Sequence, residues 1–272
     1  MLRGFYTAAS GMIAQQRRQE ALSNNMANVN TPGYKSDQGV MRAFPELLMQ
    51  RVEAKGFPSG RGLHVPVDQK IGTLNTGAYL QETIPDFAQG DIRETGIGTD
   101  MALINGTLPD EMGSVYFTVQ SDEGDARYTR NGNFTVDGHG YLVTQEGAYV
   151  LDNAGDRIAV DGLEFQVSSE GTVSPAGGNI PLGISYIADS RSLVKEGSTT
   201  FRLDEGEALD ARQVAGVNFS VQQHHLERSN VDAGKTMVEM MNTYRNFEMN
   251  QRVLKAYDQS MDKAVNDIGR LR

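Results

Sequence analysis

Five apolar side chains, Met240, Phe247, Leu254, Met261 and Ile268, fall seven residues apart near the end of the chain. That spacing sets them in one row along an α-helix, and a lone helix cannot hide such a row from water. The helical period holds from Asn230 to Leu271, with Met237, Tyr244 and Val265 on the neighbouring seam position and Gln251 and Asp258 breaking it. At ~1.5 Å per residue, about 40 residues make a helix of roughly 60 Å. Such a helix needs a long partner. At its start, Ser229 is followed three positions on by Asp232, the spacing of a capping box with a shorter acid than usual.

The partner expected lies at the other end of the chain. From Leu2 to about Val29, apolar residues recur at Leu2, Phe5, Ala9 and Met12 and again at Leu22, Met26 and Val29, spacings that predict a helix of roughly 40 Å. Pairing the two stripes, with five or six Leu/Met/Phe-class side chains at ~1.5 to 3 kcal/mol each, offers on the order of 10 kcal/mol before entropy. Either helix alone gains almost nothing. The first helix runs out in "SNNMANVNTPGY", Ser23 to Tyr34. Asn24, Asn25 and Asn28 there suit two roles, hydrogen bonding between copies or stopping the helix. Pro32, in the turn Thr31-Pro32-Gly33, is expected to end the helix in either case.

Between the helices the period changes. From Gly90 to about Val221 short alternating runs such as "SVYFTVQ", "GYLVTQ", "LEFQVS" and "GISYIA" are separated by turn signals at Asp137-Gly138, Asp161-Gly162 and Gly177-Gly178. This predicts antiparallel β structure. Gly39 to Ala88 has glycines, prolines and no clear period, and reads as extended linker and loop. The chain is therefore expected to be α+β: a terminal helix over 1–36, a linker over 37–89, an inserted β domain over 90–225 and a second terminal helix over 226–272, the helices pairing into a helical or coiled-coil core.

Composition narrows the function. A net charge of -10 over 272 residues, without a long Lys/Arg run, argues against nucleic acid as a partner. With no cysteine there is no disulfide framework, thiol catalysis or thiolate metal site. No apolar run approaches the roughly 20 residues of a membrane span, and polar residues interrupt the N-terminus too often for a secretory signal. Asp91, Glu94, Asp100, Asp110 and Glu111 are candidate carboxylates for glycoside hydrolysis, yet nearly all sit beside Gly or Thr in turn-like contexts, as solvated acids do. His64, His139, His224 and His225 form no helical i, i+4 pair, "GIGTDM" is no phosphate loop, and Gly-x-Ser-x-Gly is absent. No catalytic residue, metal, cofactor or small-molecule substrate is expected. A binding module with helical ends used for trimerisation is the alternative class.

The two ends carry a resemblance. "AASGMIAQQRRQEALSNNMANVNTPGYK" (Ala8 to Lys35) resembles the N-terminal signature of the flagellar basal-body rod and hook family of axial proteins. "LERSNVDAGKTMVEMMNTYRNFEMNQRVLKAYDQSMDKAV" (Leu226 to Val265) is similar to its C-terminal signature. "FAQGDIRETGIGTDMALING" (Phe87 to Gly106) and "YTRNGNFTVDGHGYLVTQEGAYVL" (Tyr128 to Leu151) resemble its first β domain. The chain departs from the family pattern after Gly106, where "TLPDEMG" brings acidic and turn residues ahead of the strand.

The resemblance implies a structural subunit of the flagellar rod, part of the axial shaft between motor and hook. It implies export by the flagellar type III apparatus without a cleaved signal, and assembly outside the cytoplasmic membrane with copies of itself and neighbouring rod and hook proteins. The length and single β domain fit a rod protein, of the proximal-rod-like or Gram-positive hook-basal-body type, better than a hook protein. A distal-rod or hook-type subunit is the alternative. In that role Phe5, Met12, Leu22, Met26, Met240, Phe247, Leu254, Met261 and Ile268 would form the helical core and the contacts between subunits. Asn24, Asn25, Asn28, Thr31, Pro32, Gly33, Tyr34, Ser229, Asn230 and Asp232 would be the motif positions that fix register.

Overall fold

The computed structural model describes residues 2–56, 64–121, 124–160, 162, 165–175 and 178–268; of residues 2, 49–56, 64–69 and 267–268 it describes the backbone only. Helix α1 spans Leu2–Ala27 and helix α2 spans Ala233–Lys263, continued by a π-turn over Ala264–Ile268. The chain divides into two compact units, one of residues up to 23, 39–83 and from 237 on, the other of residues 24–38 and 84–236.

In the first unit the two helices pair antiparallel. A Cβ built on Gly4 would lie 2.1 Å from the Tyr257 hydroxyl, and one on Gly11 would lie 3.1 Å from Asn250 Nδ2. Farther along, Arg18 reaches Glu239 at 3.6 Å. Seven residues forward on α1 match seven backward on α2, so the contact recurs every second turn. The glycines explain why it forms: without side chains they admit the broad Tyr257 and Asn250.

The segment 37–89, expected as linker and loop, is extended and also paired. Strand Asp37–Ala43 pairs with Ala78–Pro85, and Leu47–Gly56 pairs antiparallel with His64–Leu74. The register of the second ribbon shifts at Met49/Gln50. The sequence shows no period-two pattern that would mark these strands. Leu47, Leu48 and Ile71 are each more than half exposed.

The second unit is built on an antiparallel sheet. Strand Ser114–Gln120 lies at its centre, paired with Ala126–Thr129 on one side and with Ile184–Ile187 and Tyr149–Val150 on the other. Both faces of this strand are covered, so successive residues feed two cores. Val115, Phe117 and Val119 join Met101, Leu103, Phe134, Val150 and Ile184 in the larger one. Tyr116 turns to the other face, with Tyr128, Ile187, Leu193 and Phe201. Phe117 packs edge-on against Phe134 at 5.1 Å. The end of the unit returns to its beginning: Phe219–Gln223 pairs with Met101–Asn105, and His225–Glu227 with Ile92–Glu94.

Candidate assembly site

In the β-rich unit the two terminal signatures fold against each other, and most of the motif asparagines are spent inside the chain. Asn25 is buried, and its side-chain amide copies a strand partner: Nδ2 donates to Asp37 O and Oδ1 accepts from Asp37 N, both at 2.8 Å. The same Oδ1 accepts from the Tyr34 hydroxyl at 3.0 Å. Asn24 Oδ1 takes bonds from Asn28 Nδ2 at 2.8 Å and from Tyr34 at 3.3 Å, while Thr31 Oγ1 donates to Asn28 Oδ1. Asn230 accepts from Ser36 N and donates to Asp86 O, each at 2.8 Å. These bonds give the asparagines a use beside the two expected ones, tying the chain to itself. Helix α1 stops at Ala27, five residues short of Pro32.

Gly33 is required where it stands. Its φ of +67° lies in the left-handed region, its N–H donates to Glu227 O at 2.8 Å, and a Cβ would sit 2.4 Å from Asn131 N. The Tyr34 side chain is fully buried, and burial with the Asp37 carboxylate pushes its phenol pKa well above the ordinary value. Lys195 donates to Asp37 at 3.0 Å and lies 4.0 Å over the Tyr34 ring.

Sequence reasoning missed the charged node behind these residues. Lys35, buried to 1%, donates from Nζ to Glu227 Oε1 and to Ala88 O, each at 2.7 Å. Glu227 Oε1 also accepts from Gly90 N at 2.9 Å, and Arg130 Nε stands 3.6 Å from Glu227 Oε2. Two buried cations thus share one carboxylate. Burial pulls the Lys35 ammonium below its ordinary pKa, with Glu227 pulling it back up. Both partners fall inside the quoted signatures, yet 192 residues separate them and no local pattern joins residues at that distance.

The start of α2 differs from the expected capping box. Asp232 is the cap: its Oδ1 accepts from Lys235 N at 3.0 Å, and its carbonyl accepts from Thr236 Oγ1 at 2.7 Å. Ser229 Oγ instead accepts from Val231 N at 3.3 Å, closing a local turn. A Ser and an Asp three apart can each cap, and the helix starts one residue after the acid.

In the helical unit Leu22 is buried, while Phe5, Met12, Met240, Phe247, Leu254 and Met261 are half-buried. Met26, at the α1 end within the β-rich unit, is half-buried too, and the side chain of Ile268 lies outside the described residues. The neighbouring seam is the opposite one from that expected. Thr243 is 2% exposed and Asn250, Tyr257 and Ala264 are half-buried, whereas Met237, Tyr244 and Val265 are 58%, 56% and 71% exposed. The row through Met240 has a flank on each side, and heptad spacing cannot choose between them. The glycines of α1 choose the flank that approaches closely, and the bulky one is left outside with Met241 and Tyr6.

Among the described residues no helix is long and apolar enough to cross a membrane, and no cluster of His, Cys, Asp or Glu could hold a metal. Of the five candidate carboxylates, Asp91, Glu94, Asp110 and Glu111 are exposed, and Asp100 is buried, accepting from Thr95 Oγ1 at 2.6 Å.

Comparison with known proteins decides what this architecture belongs to. Residues 5–35 match the "Flagella basal body rod protein" model, residues 112–175 the "Flagellar hook protein FlgE/F/G D1 domain" and residues 222–267 the "Flagellar basal body rod FlgEFG protein C-terminal" model. Over its full length and that of the relative, the chain is 42% identical to the flagellar hook-basal body complex protein FlhO of Bacillus subtilis. The chain belongs to the flagellar basal-body rod family. It is also 32% identical to the rod protein FlgG of the same organism over 98% of this chain and 99% of that one. The FlgG of Borreliella burgdorferi is 30% identical over 98% of both chains. The protein is a structural, non-enzymatic subunit of this family, and paired terminal helices flanking an antiparallel β region are its architecture.

Proposed function

We propose that this subunit polymerises with copies of itself and with neighbouring rod proteins to form part of the axial shaft between motor and hook. It reaches its place outside the cytoplasmic membrane through the flagellar type III export apparatus. One observation carries this reading. The helix pair turns the flank of Thr243, Asn250, Tyr257 and Ala264 inward and leaves Met237, Met241 and Tyr244, an i, i+4, i+7 stripe, at least half exposed.

Subunit contact then uses the bulky flank of α2 together with the half-buried row Met240, Phe247, Leu254 and Met261, and with Phe5 and Met12 on α1. The motif residues Asn24, Asn25, Asn28, Thr31, Gly33, Tyr34 and Asn230 fix where the chain leaves the helices, and their hydrogen bonds within one subunit support that role. The greater identity to FlhO than to FlgG of one organism, 42% against 32%, favours the hook-basal-body type over a distal-rod subunit.

A gene deletion complemented with Met241→Asp/Tyr244→Asp tests this. Basal structures seen by electron microscopy should stop before the hook, while the purified variant keeps the thermal unfolding of its β-rich unit. Normal motility and complete structures with this variant would contradict the reading.

A further inference from the structure

The β-rich unit carries a concave feature of its own. A cleft of about 240 Å³ opens where the turn after α1 meets the strands Ile92–Glu94 and His225–Glu227. Asn30 and Pro32 line it, with Thr95, Leu226 and the exposed Arg93 and Arg228. Among the described residues neither of these guanidinium groups has an ion pair or hydrogen-bond partner. Glu227, which also lines the cleft, belongs to the node in which Lys35 and Arg130 outnumber it. The carboxylates nearby are Asp91 and Glu94, exposed on the same strand segment, and half-buried Asp86, whose oxygens take bonds from Ala88 N and Gln38. Arg93 and Arg228 line the cleft itself, whereas none of Asp91, Glu94 and Asp86 does, so two unpaired guanidinium groups meet at one concave place in a chain of net charge -10.

The complementary feature is the turn Asp204 to Glu207, with three carboxylates in four residues, all exposed. Gly206 at its tip has a φ of +105° and open space around it. Arg202 lies 3.6 Å from Asp204, and Glu205 and Glu207 have no such partner among the described residues. None of these residues lines the cleft of their own chain. We propose that the cleft receives this acidic turn from a neighbouring copy of the chain, with Arg93 and Arg228 gripping the Glu205 and Glu207 carboxylates. Guanidinium and carboxylate match in a planar, two-point bond, which fixes orientation as well as attraction and so adds register to the non-directional helix contact. The proposal rests on the assembly reading above.

The natural absence of cysteine makes the test direct. Asn30→Cys/Glu205→Cys, expressed in place of the wild type, is oxidised in isolated basal bodies. Disulfide-linked multimers are expected there, and only single chains from dilute purified protein. Incorporation of the variant without cross-linking would overturn the proposal and leave the assembly reading standing. Failure of the wild-type chain itself to appear in basal bodies would instead sink the assembly reading.

Charge reversal gives a second arm. Arg93→Glu/Arg228→Glu should lower incorporation at least roughly tenfold, since like charges would then face each other across the interface. Adding Glu205→Arg/Glu207→Arg should restore it. Wild-type incorporation of the first variant, or no recovery in the combination, would overturn the proposal.

Discussion

The β-rich unit and the helical unit bury their apolar side chains to different degrees. In the first, Val115, Tyr116, Phe117 and Val119 are fully covered on both faces of one strand, and the chain's own returning strands close the core. In the second, the described side chains below a tenth exposure on the two helices are small or polar, apart from Leu22, and Met237, Met241 and Met249 face outward. A unit that closes its own core draws its stability from within the chain. A unit that leaves large apolar side chains half-buried or exposed gains stability when something covers them. The contrast assigns the two halves of the molecule different tasks, one a self-sufficient body and the other an incomplete connector.

Substitutions can break this contrast, and the largest effect belongs in the self-sufficient unit. Phe117→Ala empties a packed site against Phe134 and should cost ~3 to 5 kcal/mol, read as a lower melting temperature of the free subunit. Glu227→Gln leaves Lys35 and Arg130 buried without their anion and should cost about 3 kcal/mol or more in urea unfolding. A free subunit as stable as wild type would remove the node from the account. Gly33→Ala combines a left-handed backbone with a clash against Asn131 N and should cost roughly 2 kcal/mol by the same measurement.

Smaller effects sharpen the picture. Because burial lowers the Lys35 pKa, the folded unit binds fewer protons than the unfolded chain between that lowered value and the ordinary 10.5. Its contribution to stability therefore rises with pH through that window, and its penalty is full below it. Tyr34 has the opposite sign: its raised pKa makes stability fall as pH climbs past the ordinary 10.0. Lys35→Met should accordingly steepen the loss of stability toward alkaline pH, and an unchanged slope in pH-dependent unfolding would contradict this assignment. Arg18→Ala, removing a half-exposed pair at 3.6 Å, should change stability by less than ~1 kcal/mol.

The terminal helices and the β character of the middle were legible because each rests on a local period. The row from Met240 to Met261 lies on a helix, and successive residues of "SVYFTVQ" lie on a strand that feeds two cores. What was not legible depends on contacts far apart in sequence. The choice of seam on α2 is made by Gly4 and Gly11 more than two hundred residues away, and α2's own heptads are silent on it. The ribbons of residues 37–85 are set by pairing between strands, which no period in that stretch announced. The asparagines were legible as a cluster but not in purpose, because Asp37, the backbone that Asn25 imitates a strand for, comes twelve residues later.

The central claim is that the bulky flank of α2 is open in the free subunit and covered in the assembled rod. Met241→Cys in this cysteine-free chain puts one thiol on that flank, and Ala154→Cys puts one on an exposed turn of the β-rich unit. Thiol labelling rates are then measured in the purified subunit and in isolated basal bodies. The account predicts rapid labelling of both variants when free, and strong protection of the Met241→Cys variant alone after assembly. Equal labelling of the Met241→Cys variant in subunit and basal body would contradict it.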